Sequence, residues 1–336
     1  MPPRKKKGSG GGIVAAVLGG VAVVVAGIAV FSSFGDAKDS PTAYSSPTYE
    51  PATTDPYPSA DASPTASSSS EASPSPSATT SSPSPSSTRR TPERPPDIEV
   101  LRKNKLYQVG TQKSVGCREP SVRPSSKENA RRYYAGLIAC LNKAWPSQMR
   151  QAGAEFRAPT VMIWSGSFES PCGSGALSFY CGRNETIYMR WDFDVNQYNK
   201  FSENYQKVYA RMSAMHTVAH EYGHHVQQLT GILPSAWNLR YNASQSTSLE
   251  LSRRTELQAS CLANVFLGTN QPSLPITGEA RRQWDWLVEH LGDEYSPNGV
   301  RDHGKRANHG YWAKRGFRSE SPESCNTFTA PSSRVS

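Results

Sequence analysis

Closely spaced cysteines, aromatic-basic clusters and internal repeats are all missing from this chain, and each absence closes off a class of protein. The six cysteines, Cys117, Cys140, Cys172, Cys181, Cys261 and Cys325, include no C-x2-C pair. A zinc–thiolate site wants such pairs, so a metal held here is not held by sulfur. Basic and aromatic residues do not interleave, so the net charge of +9 is not read as a nucleic-acid footprint. No segment repeats, which leaves a solenoid without support.

Charge is absent from Ile13 to Phe34 ("IVAAVLGGVAVVVAGIAVFSSF"), a run longer than the ~20 residues a membrane-crossing helix needs. A cleaved signal peptide has an apolar core of ~7–15 residues and a small-x-small cleavage site. "SSFGDAKDS" serves poorly as one, so an uncleaved anchor is expected. Arg4, Lys5, Lys6 and Lys7 precede it and belong in the cytoplasm. Apolar periodicity is then missing from residues 35–96, which are rich in Ser, Pro and Thr; such a segment cannot bury a core and reads as a disordered stalk. The expected organisation is a basic cytoplasmic tip (1–12), a transmembrane anchor (13–34), the stalk (35–96) and one folded domain (97–336). That domain, of ~240 residues, is large enough for its own core. The protein is then expected in the cell membrane as a single pass, with the domain extracytoplasmic. An even cysteine count in an oxidising compartment favours three disulfides, and the basic surface suits an anionic envelope polymer.

What the domain does contain is a mainly helical alternation. "KENARRYYAGLIACLNKAW" (127–145) has helical spacing and is closed by Pro146. "PTVMIW" (159–164) and "ETIYMRW" (185–191) read as strands, separated by a Gly/Ser loop. Helices are expected from about Glu203 to Leu229, Ser248 to Leu267 and Glu279 to Leu291, with Gly231, Gly268 and Gly292 as stop signals. The class is α+β, mostly helical with a small sheet.

Four of the seven histidines fall in "HTVAHEYGHH", residues 216–225. Residues four apart share a helix face, so His220 and His224 point the same way with Glu221 between them. This is H-E-x-x-H, two imidazoles for one zinc and a carboxylate beside them. His225 lies one step round the helix and is expected to be hydrogen-bonded and partly buried. His216 shares the face, but ligands at i, i+4 and i+8 span ~12 Å, too far for one ion; it is expected at the cleft rim or in solvent. A catalytic zinc needs a third protein ligand. Glu256, in "RTELQASCLANVF", is a candidate with Ser260 on its face, and Glu250 is its rival by residue type.

"AHEYGHHVQ", "RTELQASCLANVF", "PCG" with "FYC" and "IYMRW", and the tail "HGKRANHGYWAKRGF" with "CNTF" occur in that order between about residues 104 and 328. Together they resemble the bacterial neutral zinc metallopeptidase family. The resemblance implies a zincin-like domain, one catalytic Zn2+, His220, His224 and Glu256 as its ligands, and Glu221 as general base. It also fits disulfides Cys172–Cys181, Cys261–Cys325 and Cys117–Cys140. Two positions depart from the family pattern. Ser260 stands where the family has aspartate, an acid suited to orienting a ligand histidine. In "HGKRANH", His303 remains, but Asn308 and His309 stand at the glutamine and arginine positions.

The implied reaction is peptide hydrolysis by a zinc-activated water, with Glu221 moving the proton. His303 is the candidate second donor to the oxyanion, and Tyr311 a further one. The strand "ETIYMRW" is expected to bind an extended peptide or protein substrate by edge pairing. The alternative is a weakened or inactive binding module of the envelope, motivated by Ser260 and the altered tail.

Overall fold

The longest helical run becomes the axis of the domain. In a computed structural model, which describes residues 95–295 and 299–336, a 26-residue helix covers Asn204–Leu229. It starts from a capping box in which Glu203 and Gln206 satisfy each other's backbone N–H groups. It ends before Gly231, whose φ of +77° reverses the chain at a value costly for a residue with a Cβ. Residues 208–227 of this helix are buried on nearly every side, because other elements surround it.

In chain order the elements are α1 (Asp97–Arg102), α2 (Lys127–Ala144), α3 (Pro146–Gln151), β1 (Thr160–Trp164), β2 (Glu169–Ser170), β3 (Gly173–Ser174), β4 (Phe179–Cys181), β5 (Thr186–Arg190), α4 (Trp191–Lys200), the axial α5 (Asn204–Leu229), α6 (Ile232–Tyr241), α7 (Gln245–Thr269), α8 (Gly278–His290) and α9 (Arg306–Ser319). Helices dominate, and the class is α+β with a small sheet, as expected. Pro146 ends α2 but also opens α3 from its first position, where a missing N–H costs nothing.

The main sheet has the order β1–β5–β4, parallel between β1 and β5 and antiparallel between β4 and β5. This corrects the expected role of "ETIYMRW". Its strand β5 is central, so its backbone groups are already paired on both sides and it offers no free edge. The edges are β1 and β4. The ten-residue α4 also follows β5, so no strand immediately precedes the axial helix.

α7 crosses α5 on one side and α9 on the other. A Cβ on Gly268 would sit 2.1 Å from the Phe317 carbonyl oxygen, and one on Gly316 would sit 2.2 Å from that of Cys261. Gly268 therefore does not stop the helix, as its position suggested; it lies inside α7 and lets α9 approach.

The three disulfides are Cys117–Cys140, Cys172–Cys181 and Cys261–Cys325. They fix the N-terminal segment to α2, the β2–β3 hairpin to β4, and α7 to the tail. Among the described residues no helix is long and apolar enough to cross a membrane. The expected anchor, and the expected stalk up to residue 94, lie outside the described residues.

Candidate metal centre

His220 and His224 stand one turn apart on α5, and Glu256 meets them from α7. The two helices come close because Gly223 carries no side chain: a Cβ there would be 2.6 Å from the Ala259 carbonyl oxygen. His220 Nε2, His224 Nε2 and Glu256 Oε2 lie 3.2 Å from one another, and all three residues are buried. Zinc bonds of ~2.0–2.1 Å at tetrahedral angles place ligand atoms ~3.3 Å apart. The triangle therefore fits one zinc ion held by three protein atoms.

The far side of each imidazole is fixed as well. Gln227 Nε2 donates to the Thr255 carbonyl and to Gln258 Oε1, each at 2.9 Å. Its Oε1 is the end left to accept from His224 Nδ1, at 2.9 Å. His220 Nδ1 is 3.0 Å from Ser260 Oγ, which is 2.9 Å from His309 Nε2. His309 Nδ1 is 3.1 Å from the Val288 carbonyl oxygen, which can only accept. Burial pulls the pKa of His309 down to about 4, so the ring is neutral. One direction satisfies every partner: His220 donates to Ser260, Ser260 to His309, and His309 to Val288. Both ligand histidines thus carry hydrogen on Nδ1 and turn Nε2 toward the centre. There, despite burial, Glu256 and Glu221 hold His224 charged, its pKa lifted to about 9, and it has to give up its Nε2 proton for a metal ion to bind.

Glu221 is buried, and burial raises its pKa to about 8 despite the opposing charge of His224 and a hydrogen bond from the Tyr180 backbone N–H. A divalent cation alongside would favour its ionised form. Tyr180 belongs to edge strand β4, and His225 holds that strand in place. His225 Nε2 donates to the Arg157 carbonyl at 2.8 Å, so its Nδ1 accepts from the Tyr180 hydroxyl at 3.0 Å. His225 is fully buried rather than partly so.

His303 approaches from the segment before α9. Its Nε2 is 3.8 Å from Glu256 Oε2, and its Nδ1 donates to Asp302 Oδ1 at 2.7 Å. Burial opposes its charge, but Glu256, Asp302 and Asp293 outweigh burial and lift its pKa to about 9. Asp293 Oδ2 accepts from the backbone N–H of His303, at 2.8 Å, and of Gly304, which pins the turn.

The fold therefore gathers His220, His224, Glu221, Glu256, Ser260 and His303. Glu250 is elsewhere, in an ion pair with Arg254 at 2.7 Å. His216 is at neither rim nor solvent: it is buried in the helix packing, 5.8 Å ring to ring from His309. Burial and the neighbouring His309 and His220 hold it neutral. Tyr311 packs on Arg334 and Trp312 and bonds to no residue of the centre. Asn308 ties down the chain end through the Ser333 and Ser336 carbonyls. Sequence reasoning missed Gln227, His309 as partner of Ser260, Asp302, Asp293 and Tyr180. Only Gln227 had a visible signal, three residues beyond His224 on the same helix face.

This is a helical α+β protein with a buried two-histidine, one-glutamate centre of the kind that binds zinc. The chain belongs to the family described as "putative neutral zinc metallopeptidase", whose model matches residues 98–328. The uncharacterized protein YpfJ of Escherichia coli strain K12 is 29% identical over 220 residues, covering 62% of this chain and 74% of that protein. The uncharacterized protein Rv2575 of Mycobacterium tuberculosis strain H37Rv is 28% identical over 199 residues, 52% of this chain and 64% of that protein. No solved structure matches.

Proposed function

We propose that this chain is a zincin-type peptidase, anchored in the membrane by residues 13–34 and acting outside it on peptide or protein substrates. The observation that carries the reading is the ligand triangle of His220, His224 and Glu256, with Glu221 buried beside it. Membership of a zinc metallopeptidase family supports it further. When bound there, zinc supplies a Lewis acid for the scissile carbonyl and activates a water.

The protein's own residues divide the remaining work. Glu221 takes the proton from the attacking water and later gives it to the leaving amine. The Tyr180 N–H holds the Glu221 carboxylate in place through that exchange. His303, backed by Asp302, donates to the carbonyl oxygen as negative charge grows there. Ser260 and Gln227 keep the two ligand imidazoles in the metal-binding tautomer. Edge strand β4, one strand away from the segment first expected to pair with substrate, is the edge nearest Glu221 and the one proposed to align the peptide. Three disulfides support an oxidising location, consistent with an exported domain.

The test is digestion of an unstructured protein by the zinc-loaded full chain and by Glu221→Gln. A general base contributes ~10²–10⁴-fold, so turnover should fall by that factor while zinc content is unchanged. Equal proteolysis by the two would refute the assignment.

A further inference from the structure

Tyr311 does not reach the metal centre; it lines a separate pocket of about 400 Å³ where α9 meets the tail. That volume falls in the ~300–1,000 Å³ range of small-molecule sites. Tyr107 and Trp312 are buried and floor it with aromatic rings, Tyr311 is half-buried, and Arg315 and Glu323 are exposed at its rim. No residue of the metal centre lines it.

The walls are fixed by bonds of their own. The Tyr107 hydroxyl donates to the Leu101 carbonyl at 3.0 Å and accepts from Gln258 Nε2 at 2.8 Å. Trp312 Nε1 donates to the Arg334 carbonyl at 2.8 Å. The Cys261–Cys325 disulfide ties the tail to α7, and Arg254 Nη1 donates to the Ala330 carbonyl at 2.9 Å.

What stays open is bonding capacity of both signs. Arg315 Nε donates to the Ser324 carbonyl at 2.8 Å, which holds the guanidinium beside the residue that follows Glu323. Yet Arg315 and Glu323 form no ion pair, either with each other or with any other described residue. Asn326, which also lines the pocket, donates through Nδ2 to the Arg102 carbonyl at 3.0 Å, while its Oδ1 is buried with no described partner. A buried acceptor without a donor is costly, and an ammonium group would satisfy it. The pocket thus offers a planar fork that matches a carboxylate, and acceptors on Glu323 and Asn326 that match an ammonium, over an aromatic floor.

We propose that this pocket binds a short zwitterionic peptide, its carboxylate on Arg315, its ammonium on Glu323 and Asn326, and an apolar side chain on the aromatic floor. The site is separate from the metal centre, so it goes beyond the peptidase reading and does not depend on it.

The test is calorimetry on the full chain carrying Glu221→Gln, so that peptide is not consumed. Ala-Phe and Ala-Phe-Ala cover two spans, each in four forms: unblocked, N-acetylated, C-amidated and blocked at both ends. One unblocked peptide should bind, and blocking either end should weaken it ~10-fold, the low end for a hydrogen bond to a charged group because the rim is exposed. The losses should follow the residues. In Arg315→Gln amidation no longer costs affinity while acetylation still does, and in Glu323→Gln the reverse holds. Arg315→Lys keeps the charge without the fork and should retain part of the preference; it decides the matter if Arg315→Gln folds poorly. Stripping zinc with a chelator should leave every constant unchanged, which separates this pocket from the metal centre. The proposal is overturned if no unblocked peptide binds, if the doubly blocked form binds as well, if the blocking effects persist in both variants, or if chelation abolishes binding. None of these results touches the peptidase reading, and a chain that shows the crossed pattern but cleaves nothing would refute that reading alone.

Discussion

Replacing Ser260 with alanine cuts a chain of hydrogen bonds in the middle. In the parent, His220 donates to Ser260 over 3.0 Å and Ser260 donates to His309 over 2.9 Å. Ser260 is 1% exposed, so no water replaces the hydroxyl without a cavity to hold it. The variant leaves His220 Nδ1–H without an acceptor and His309 Nε2 without a donor. A buried group that loses its partner costs ~1–3 kcal/mol. His220 can escape by moving its hydrogen to Nε2, but that nitrogen then cannot bind metal. The cost therefore appears in zinc affinity, as a weakening of ~10–100-fold, or ~1.4–2.7 kcal/mol. Competition against a fluorescent chelator measures it directly. Ser260→Asp is the informative control. A carboxylate still accepts from His220, but it faces a His309 nitrogen that in the parent carries no hydrogen. Accommodation requires His309 to take up a proton, so its pKa, about 4 in the parent, should rise, as its ring NMR resonances would record. Zinc affinity of Ser260→Ala within twofold of the parent would refute the relay.

Two further outcomes follow from packing and burial. Asp194, on α4, accepts from the Tyr134 hydroxyl at 2.6 Å, and burial lifts its pKa to about 7 from 3.8. The folded state thus holds a proton that the unfolded state releases, and stability is lost as pH rises from about 4 to about 7. Asp194→Asn keeps the acceptor and drops the titration, so its stability relative to the parent should rise by ~2.5 kcal/mol between pH 5 and pH 8, read by denaturant unfolding; a flat difference would contradict this. Gly223→Ala should destabilise the domain by ~1–3 kcal/mol and weaken zinc binding, because its methyl meets the Ala259 carbonyl at 2.6 Å; unchanged thermal unfolding and zinc affinity would show that α5 and α7 do not depend on their close crossing.

How far the sequence could be read depended on the range of each interaction. His220, Glu221 and His224 lie within one turn and a step, so helical periodicity alone set them on a shared face. Glu256 lay on a second helix, and the resemblance rather than any local signal separated it from Glu250. The link between Ser260 and His309 crosses 49 positions; each was noticed as a departure, and their contact was invisible until the helices were packed. His216 was misjudged for a related reason: its sequence neighbours show no partner, and what buries it is other helices. Among the elements, α4, α6 and α9 went unread. α4 follows β5 without a turn residue between them, α6 carries Pro234 in its first turn, where proline is tolerated, and α9 includes two glycines, Gly310 and Gly316, that usually argue against a helix. In α9 the packing against α7 outweighs that weak propensity. The same packing made Gly268 resemble a helix terminator. The sheet was half read: β1 and β5 were expected, but β4, only three residues long, was not, and its presence moves the free edge.

The measurement that bears most directly on the account is the zinc content of the purified full chain beside Glu256→Ala. Three atoms 3.2 Å apart are set for one ion, so the parent should carry one zinc per chain and the variant close to none. A parent without zinc, or a Glu256→Ala chain that still holds one, would contradict the centre described here.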